Sequence, residues 1–106
     1  MLDEIQNFME QNREWTDKTF PGQSVIRTLD HCRAEVKELQ EAITNAEPPE
    51  NILFEYADVY LLLLNSISKQ GLTFRDVHNA AIKKMVINRS RKWVINSEGY
   101  SQHVDG

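Results

Sequence analysis

The stretch from Ile52 to Ile67, ILFEYADVYLLLLNSI, constrains everything else in this chain, because Glu55 and Asp58 are its only charged residues among mostly large apolar side chains. A helix that is apolar nearly all round is buried on more than one side. Carboxylates are seldom buried unless they are paired or hold a metal, since desolvating an isolated charge costs more than ordinary contacts return. Their three-residue spacing puts both acids on one helical face, with Cβ atoms about 5–6 Å apart. An earlier stretch repeats the arrangement: Glu35 and Glu38 in AEVKELQEA are again three apart beside an apolar seam. Two such helices packed face to face bring four acids together. An all-oxygen donor set of that kind suits a hard cation such as Mg2+ or Mn2+.

With 106 residues the chain is expected to form a single domain over 1–106, with one modest core. The formal net charge of −4 argues against a dedicated binder of nucleic acid or anionic membrane. Cys32 is the only cysteine, so no intramolecular disulfide can form. The N-terminal MLDEIQNF lacks the basic and apolar regions of a signal peptide, and the run Val59–Leu64 is too short to span a bilayer. A cytoplasmic protein with no membrane or nucleic-acid partner is expected.

Read in order, Leu2, Ile5, Phe8 and Met9 recur at helical spacing and predict a short helix from about 3 to 14. Thr16–Gln23 reads as a loop around Pro21-Gly22, flanked by Trp15 and Phe20, whose ordinary role would be to close the core. Ser24 can cap the second helix, whose seam is Val25, Leu29, Cys32, Val36, Leu39 and Ile43. On this reading Glu35, Glu38, His31 and Ala42 lie on the stripe beside that seam, and Glu41 points outward. Pro48-Pro49 separates helices two and three as antiparallel neighbours, and Gly71 reads as a C-cap. A fourth helix, opened by Thr73 and Asp76, is expected from about Phe74 to Trp93, with a basic second half, KKMVINRSRKW. There Lys84, Asn88 and Arg91 share a face; a solvated basic surface is its ordinary meaning. The tail is expected to turn at Glu98–Gly99 and lie extended, with His78 and His103 unsuited by spacing to be ligands. The apolar circumference of helix three, Leu61 to Leu64, predicts at least a dimer, with this helix central to the interface.

Glu35-x-x-Glu38 followed by Glu55-x-x-Asp58, in a domain of this length, resembles the MazG-like all-α NTP pyrophosphatase superfamily, and the likeness covers nearly the whole chain. KKMVINRSRKW with EGYSQHV, and NREWTDKTFPGQS, are similar to the tail and aromatic loop of its dATP/dGTP diphosphohydrolase branch. The resemblance implies an all-α bundle of four to five helices assembled as a homodimer or homotetramer. It also implies Mg2+-dependent cleavage of a nucleoside triphosphate, of purine deoxynucleotides in that branch, between the α- and β-phosphates. Glu35, Glu38, Glu55 and Asp58 would then ligate metal, with Glu35 or Glu38 the expected general base. Lys84, Asn88 and Arg91 or Lys92 would hold phosphates or sugar, and Trp15 with Phe20 would border the base. Ala34 stands where relatives often carry a further glutamate, which implies fewer metals or slower turnover.

Such chemistry asks little of the protein beyond holding metal and phosphate, and no nucleophilic side chain is needed. The chain has no GxxxxGK[ST] phosphate loop, nor the Glu-x-x-His pairs of a ferritin-type di-iron bundle. The rival from a different class is a non-catalytic helical adaptor whose acids are solvated and whose basic fourth helix binds an acidic partner or nucleic acid.

Overall fold

In the computed structural model four helices follow one another: α1 (Leu2–Thr19), α2 (Val25–Thr44), α3 (Pro49–Lys69) and α4 (Phe74–Ser90). A two-stranded antiparallel hairpin, β1 (Trp93–Ile95) and β2 (Ser101–His103), closes the chain. The structure describes residues 1–91, 93–95, 98–99 and 101–103. They divide into two compact units, Met1–Arg75 and Asp76–Gly106. The all-α class and the four helices expected from sequence are present, and among the described residues a short hairpin follows them. No helix among the described residues is long and apolar enough to cross a membrane.

In the first unit α1 and α2 each pack on α3. The core is small: Met9 is fully buried, and Leu64, Ala42, Leu39 and Cys32 join it. Polar groups that enter it find partners. Ser66 Oγ donates to the Leu63 carbonyl at 2.7 Å and Thr28 Oγ1 to that of Ser24 at 2.9 Å, as buried hydroxyls must to avoid a desolvation penalty.

α1 is longer than its apolar spacing predicts and runs on to Thr19. Two (i, i+4) ion pairs, Arg13–Asp17 at 2.9 Å and Glu14–Lys18 at 3.1 Å, carry it past Trp15. The Phe20 amide closes the last turn on Thr16 O at 2.8 Å, and the loop proper begins there. Ser24 caps α2 as expected, its Oγ accepting from the Arg27 amide at 3.0 Å, a bond worth about 1 kcal/mol.

The packing face of α2 differs from the seam read in the sequence. Thr28, Cys32, Leu39 and Ala42 are buried, with Glu35 half-buried among them, while Leu29, Val36 and Ile43 are 38–49% exposed. The expected seam and the observed face share Cys32 and Leu39 and lie about 60° apart around the helix, so both have helical periodicity. Only the position of α3 chooses between them, and it sets Glu35 in the contact face rather than beside it.

The turns at the two ends of α3 are built alike. After α2, the Glu47 amide bonds Ala42 O at 3.0 Å and the Ala46 amide bonds Ile43 O at 3.1 Å; after α3, Leu72 and Gly71 bond Ile67 O and Ser68 O at 3.2 and 3.0 Å. Both are Schellman closures, which place one residue in the left-handed region. Gly71 meets that demand without strain at φ 79°, whereas Ala46 adopts φ 52° with a Cβ.

α4 begins where Phe74 N donates to Gln6 Oε1 at 2.8 Å and Arg75 reaches Asp3 at 3.7 Å. It stops at Ser90, short of the expected Trp93. Arg91 N and the Trp93 indole both turn back to the Asn88 carbonyl, at 3.3 and 2.7 Å, and Trp93 then opens β1. The expected turn at Glu98–Gly99 is present, with Gly99 at φ 89°. Its flanks are paired strands rather than a single extended tail, in the register Trp93–His103, Val94–Gln102 and Ile95–Ser101.

Candidate active site

Glu35 on α2 and Glu55 and Asp58 on α3 meet across the helix contact, each offering a carboxylate oxygen within 4.8 Å of the others. Glu38 stands exposed one turn along α2, against Glu35. The side chain of Glu35 is only 16% exposed. Its Oε1 lies 3.3 Å from His31 Nε2, while its Oε2, like Oε2 of Glu55, is sealed from solvent with no hydrogen-bond partner. Two facing ionised carboxylates cannot donate to each other, so only a proton or a cation can satisfy those oxygens.

The titration behaviour follows from that geometry. The Glu35 carboxyl is pushed above its usual range, first by its hydrogen-bond contact with Glu38, then by burial and by the charges of Glu38 and Asp58, against a smaller opposing effect of His31. Burial leads for Glu55, with Glu38, Asp58 and Glu47 adding repulsion in the same direction. The metal-free cluster therefore favours protonation, and a hard divalent cation is the other species that relieves it. Orphaned buried oxygens in an all-carboxylate set are what such an ion requires, so the residues fit the metal expected from sequence.

From the acids opens a cavity of about 390 Å³ bounded by α1, α2, α3 and the α1–α2 loop, with Glu35 and Asp58 on its wall. Trp15 and Phe20 line it too, edge to face with centroids 5.8 Å apart and 59% and 53% exposed. That exposure overturns the reading in which these rings close the core: α1 continues past Trp15 and carries the ring outward. Lys84, Asn88 and Arg91 belong to the second unit; Lys84 is exposed and the other two half-buried. Lys92 lies outside the described residues.

The cavity also collects residues to which the sequence reading gave no role in the site. Arg27 and His31 precede Glu35 by eight and four residues on the same face of α2. Asn65 follows Asp58 by seven on α3, with Lys69 four further on. Lys69 Nζ donates to the Gln23 carbonyl at 2.6 Å and so ties the loop to α3. Asn12 Nδ2 donates to Leu61 O at 3.4 Å, and Thr16 Oγ1 to Asn65 Oδ1 at 3.3 Å. The signal was available: walking each acidic face outward in steps of four and seven finds Arg27, His31, Asn65 and Lys69.

The profile of the dATP/dGTP pyrophosphohydrolase family matches residues 8–104. The chain belongs to that family. A dATP/dGTP diphosphohydrolase of Salmonella phage PMBT28 is 32% identical over 90 residues, which cover 85% of this chain; the match spans only 28% of the phage protein's length. Among solved structures, a cyanophage S-2L MazG-like pyrophosphohydrolase, bound to dGDP and three catalytic Mn2+ ions per active site, is 26% identical. Its TM-score is 0.70, and the match covers 99% of this family member and 98% of the cyanophage chain.

Proposed function

We propose that this family member is a divalent-cation-dependent pyrophosphohydrolase that cleaves purine deoxynucleoside triphosphates, dATP and dGTP, to the monophosphate and pyrophosphate. The observation that carries the reading is the pair of buried, unpartnered carboxylate oxygens on Glu35 and Glu55, beside a cavity with exposed aromatic rings. The substrate class follows the family and the phage relative, and the cation follows the Mn2+ of the cyanophage enzyme. Glu35, Glu55 and Asp58, with Glu38 beside them, would hold Mg2+ or Mn2+. When bound, such ions offset charge on the phosphates and make water a better nucleophile. Glu35 or Glu38 accepts the proton of the attacking water; His31, whose Nε2 lies 3.3 Å from Glu35 Oε1, helps to orient that carboxylate. Arg27 and Lys69 supply positive charge on the cavity wall, with Lys84 and Asn88 of α4 and Arg91 just after it as further phosphate or sugar ligands. Trp15 and Phe20 flank the base.

The solvated-acid adaptor loses ground on the same observation, because two of the acidic oxygens are sealed from water. Assembly belongs to the proposal as well. Leu53, Tyr56, Tyr60 and Leu63 recur at three, four and three residues along α3 and are 44–67% exposed, a seam of the kind a second helix covers. We infer at least a dimer through this face, and sedimentation tests it: a folded 12 kDa monomer at micromolar concentration would refute it.

The activity is tested by pyrophosphate release from a panel of deoxynucleoside and nucleoside triphosphates with Mn2+ or Mg2+, with the nucleotide product identified. Monophosphate and pyrophosphate from dATP and dGTP are expected. Release of orthophosphate instead, or no turnover with either metal, overturns the reading.

A further inference from the structure

We propose that Asn65, oriented by Thr16, reads the nucleobase by donating from its amide to a ring nitrogen that adenine and guanine share. The inference rests on the purine reading above and names its specificity determinant. Asn65 is 4% exposed, and what surface it has faces the cavity. It lies two turns beyond Asp58 on the same side of α3, about 10 Å along the axis at 1.5 Å per residue. Thr16, which meets it from α1, directly follows Trp15, so Asn65 belongs to the aromatic end of the cavity and not to the acidic end. A triphosphate held at the acids places its base there.

The orientation of the amide decides what it can read. Thr16 Oγ1 lies 3.0 Å from the Arg13 carbonyl and 3.3 Å from Asn65 Oδ1, and shares its proton between these two acceptors. With Oδ1 engaged, Nδ2 is turned towards the cavity; it has no hydrogen-bond partner among the described residues and is not sealed from solvent. A fixed donor selects an acceptor. N7 and N3 are acceptors in both purines, whereas position 6 is a donor in adenine and an acceptor in guanine. A donor aimed at position 6 would take guanine and refuse adenine; aimed at N7 or N3 it takes both. A pyrimidine has no N7 and would leave an amide aimed there unpaired, the situation that polar sites reject most strongly, whereas its O2 is an acceptor on the same edge as purine N3.

The test is a cycle between residue and ligand atom. Calorimetry with Mn2+ measures binding of non-hydrolysable dATP and dGTP analogues and of their 7-deaza and 3-deaza forms to the wild type, Asn65→Ala, Asn65→Asp and Thr16→Val. In the wild type one of the two deaza changes is expected to weaken both bases by about 10- to 100-fold, the range of a lost buried hydrogen bond. Asn65→Ala weakens the parent analogues similarly and abolishes the deaza effect. Asn65→Asp, which keeps the shape but only accepts, behaves like Asn65→Ala, and Thr16→Val shrinks the deaza effect by freeing the amide. A deaza effect that is absent in the wild type, or undiminished in Asn65→Asp, overturns the assignment while the purine reading stands. If the wild type binds no purine triphosphate analogue and releases no pyrophosphate, both fall.

Discussion

The two halves of α3 handle buried polar groups in opposite ways. From Leu64 to Lys69 each polar side chain makes at least one hydrogen bond: Asn65 Oδ1 with Thr16, Ser66 with Leu63 O, Ser68 with Arg13 Nη1, Lys69 with Gln23 O. From Pro49 to Asp58 no residue is fully buried, yet Glu55 has an oxygen sealed from water with nothing to bond. Partnered polar burial holds a fold together, whereas an unpartnered buried carboxylate subtracts from stability until something external binds it. The same helix is a structural strut at one end and a prepared receptor at the other.

The largest test of that contrast removes the receptor. Glu55→Gln, Asp58→Asn and Glu35→Gln should each lower pyrophosphate release by about 100-fold or more, since even the groups that merely orient metal ligands are worth 10- to 100-fold. Their metal-free melting temperatures should stay level or rise, because each change removes a repelling charge. Glu41→Gln, on the outward face of α2, should alter neither property. Full activity in Glu55→Gln or Asp58→Asn would make the acids structural and erase the distinction.

Next in size is the face of α3 turned away from the site. Leu63→Glu places a charge on the exposed seam of Leu53, Tyr56, Tyr60 and Leu63 and is expected to convert the assembly to monomers in sedimentation, with the helical content kept. An unchanged sedimentation profile would move the interface elsewhere.

The partnered half should answer with the opposite sign. Asn65→Ala leaves the Thr16 hydroxyl without its cross-helix acceptor and a small void, and should cost about 1–3 kcal/mol, read as a lower metal-free melting temperature. A rise, as expected for Glu55→Gln, would show that Asn65 is under strain rather than structural.

The pH dependence sharpens the same contrast. Glu35 and Glu55 titrate above their ordinary 4.5 in the folded, metal-free protein. Between that value and the raised one the folded form binds more protons than the unfolded chain, so their contribution to stability is present at lower pH and is lost as pH rises through the window. Melting followed as pH is raised from about 4.5 should show this slope without metal, a weaker slope in Glu55→Gln, and its removal by saturating Mn2+, which binds the ionised form. A slope unchanged by Glu55→Gln would assign it to other groups.

The smallest effect concerns the matched turns that bracket α3. Ala46→Gly relieves a left-handed residue at roughly 1–2 kcal/mol, partly offset by the greater chain entropy of glycine, so a net gain of at most about 1 kcal/mol is expected. Gly71→Ala should lose a similar amount, with open space around its Cβ leaving backbone strain as the only cause. Equal and neutral results at both turns would remove that strain from the account.

The sequence alone determined the helical class, the order of the four helices, the Ser24 cap and the Gly71 stop, because each follows from local periodicity and capping chemistry that neighbours reinforce. It also marked the two acid pairs, since Glu55 and Asp58 among leucines have few physical explanations. Tertiary structure decided the rest. Which stripe of α2 faces α3 depended on a rotation that both apolar patterns permit, and that rotation turned Glu35 into the contact. Trp15 and Phe20 read as core in one dimension because an aromatic ring has no local signal for the direction it faces; the extra turn of α1 exposed them. Asn65 and Thr16, forty-nine residues apart, carry no mark in the sequence that joins them, since a hydrogen bond between helices exists only once packing has brought their faces together.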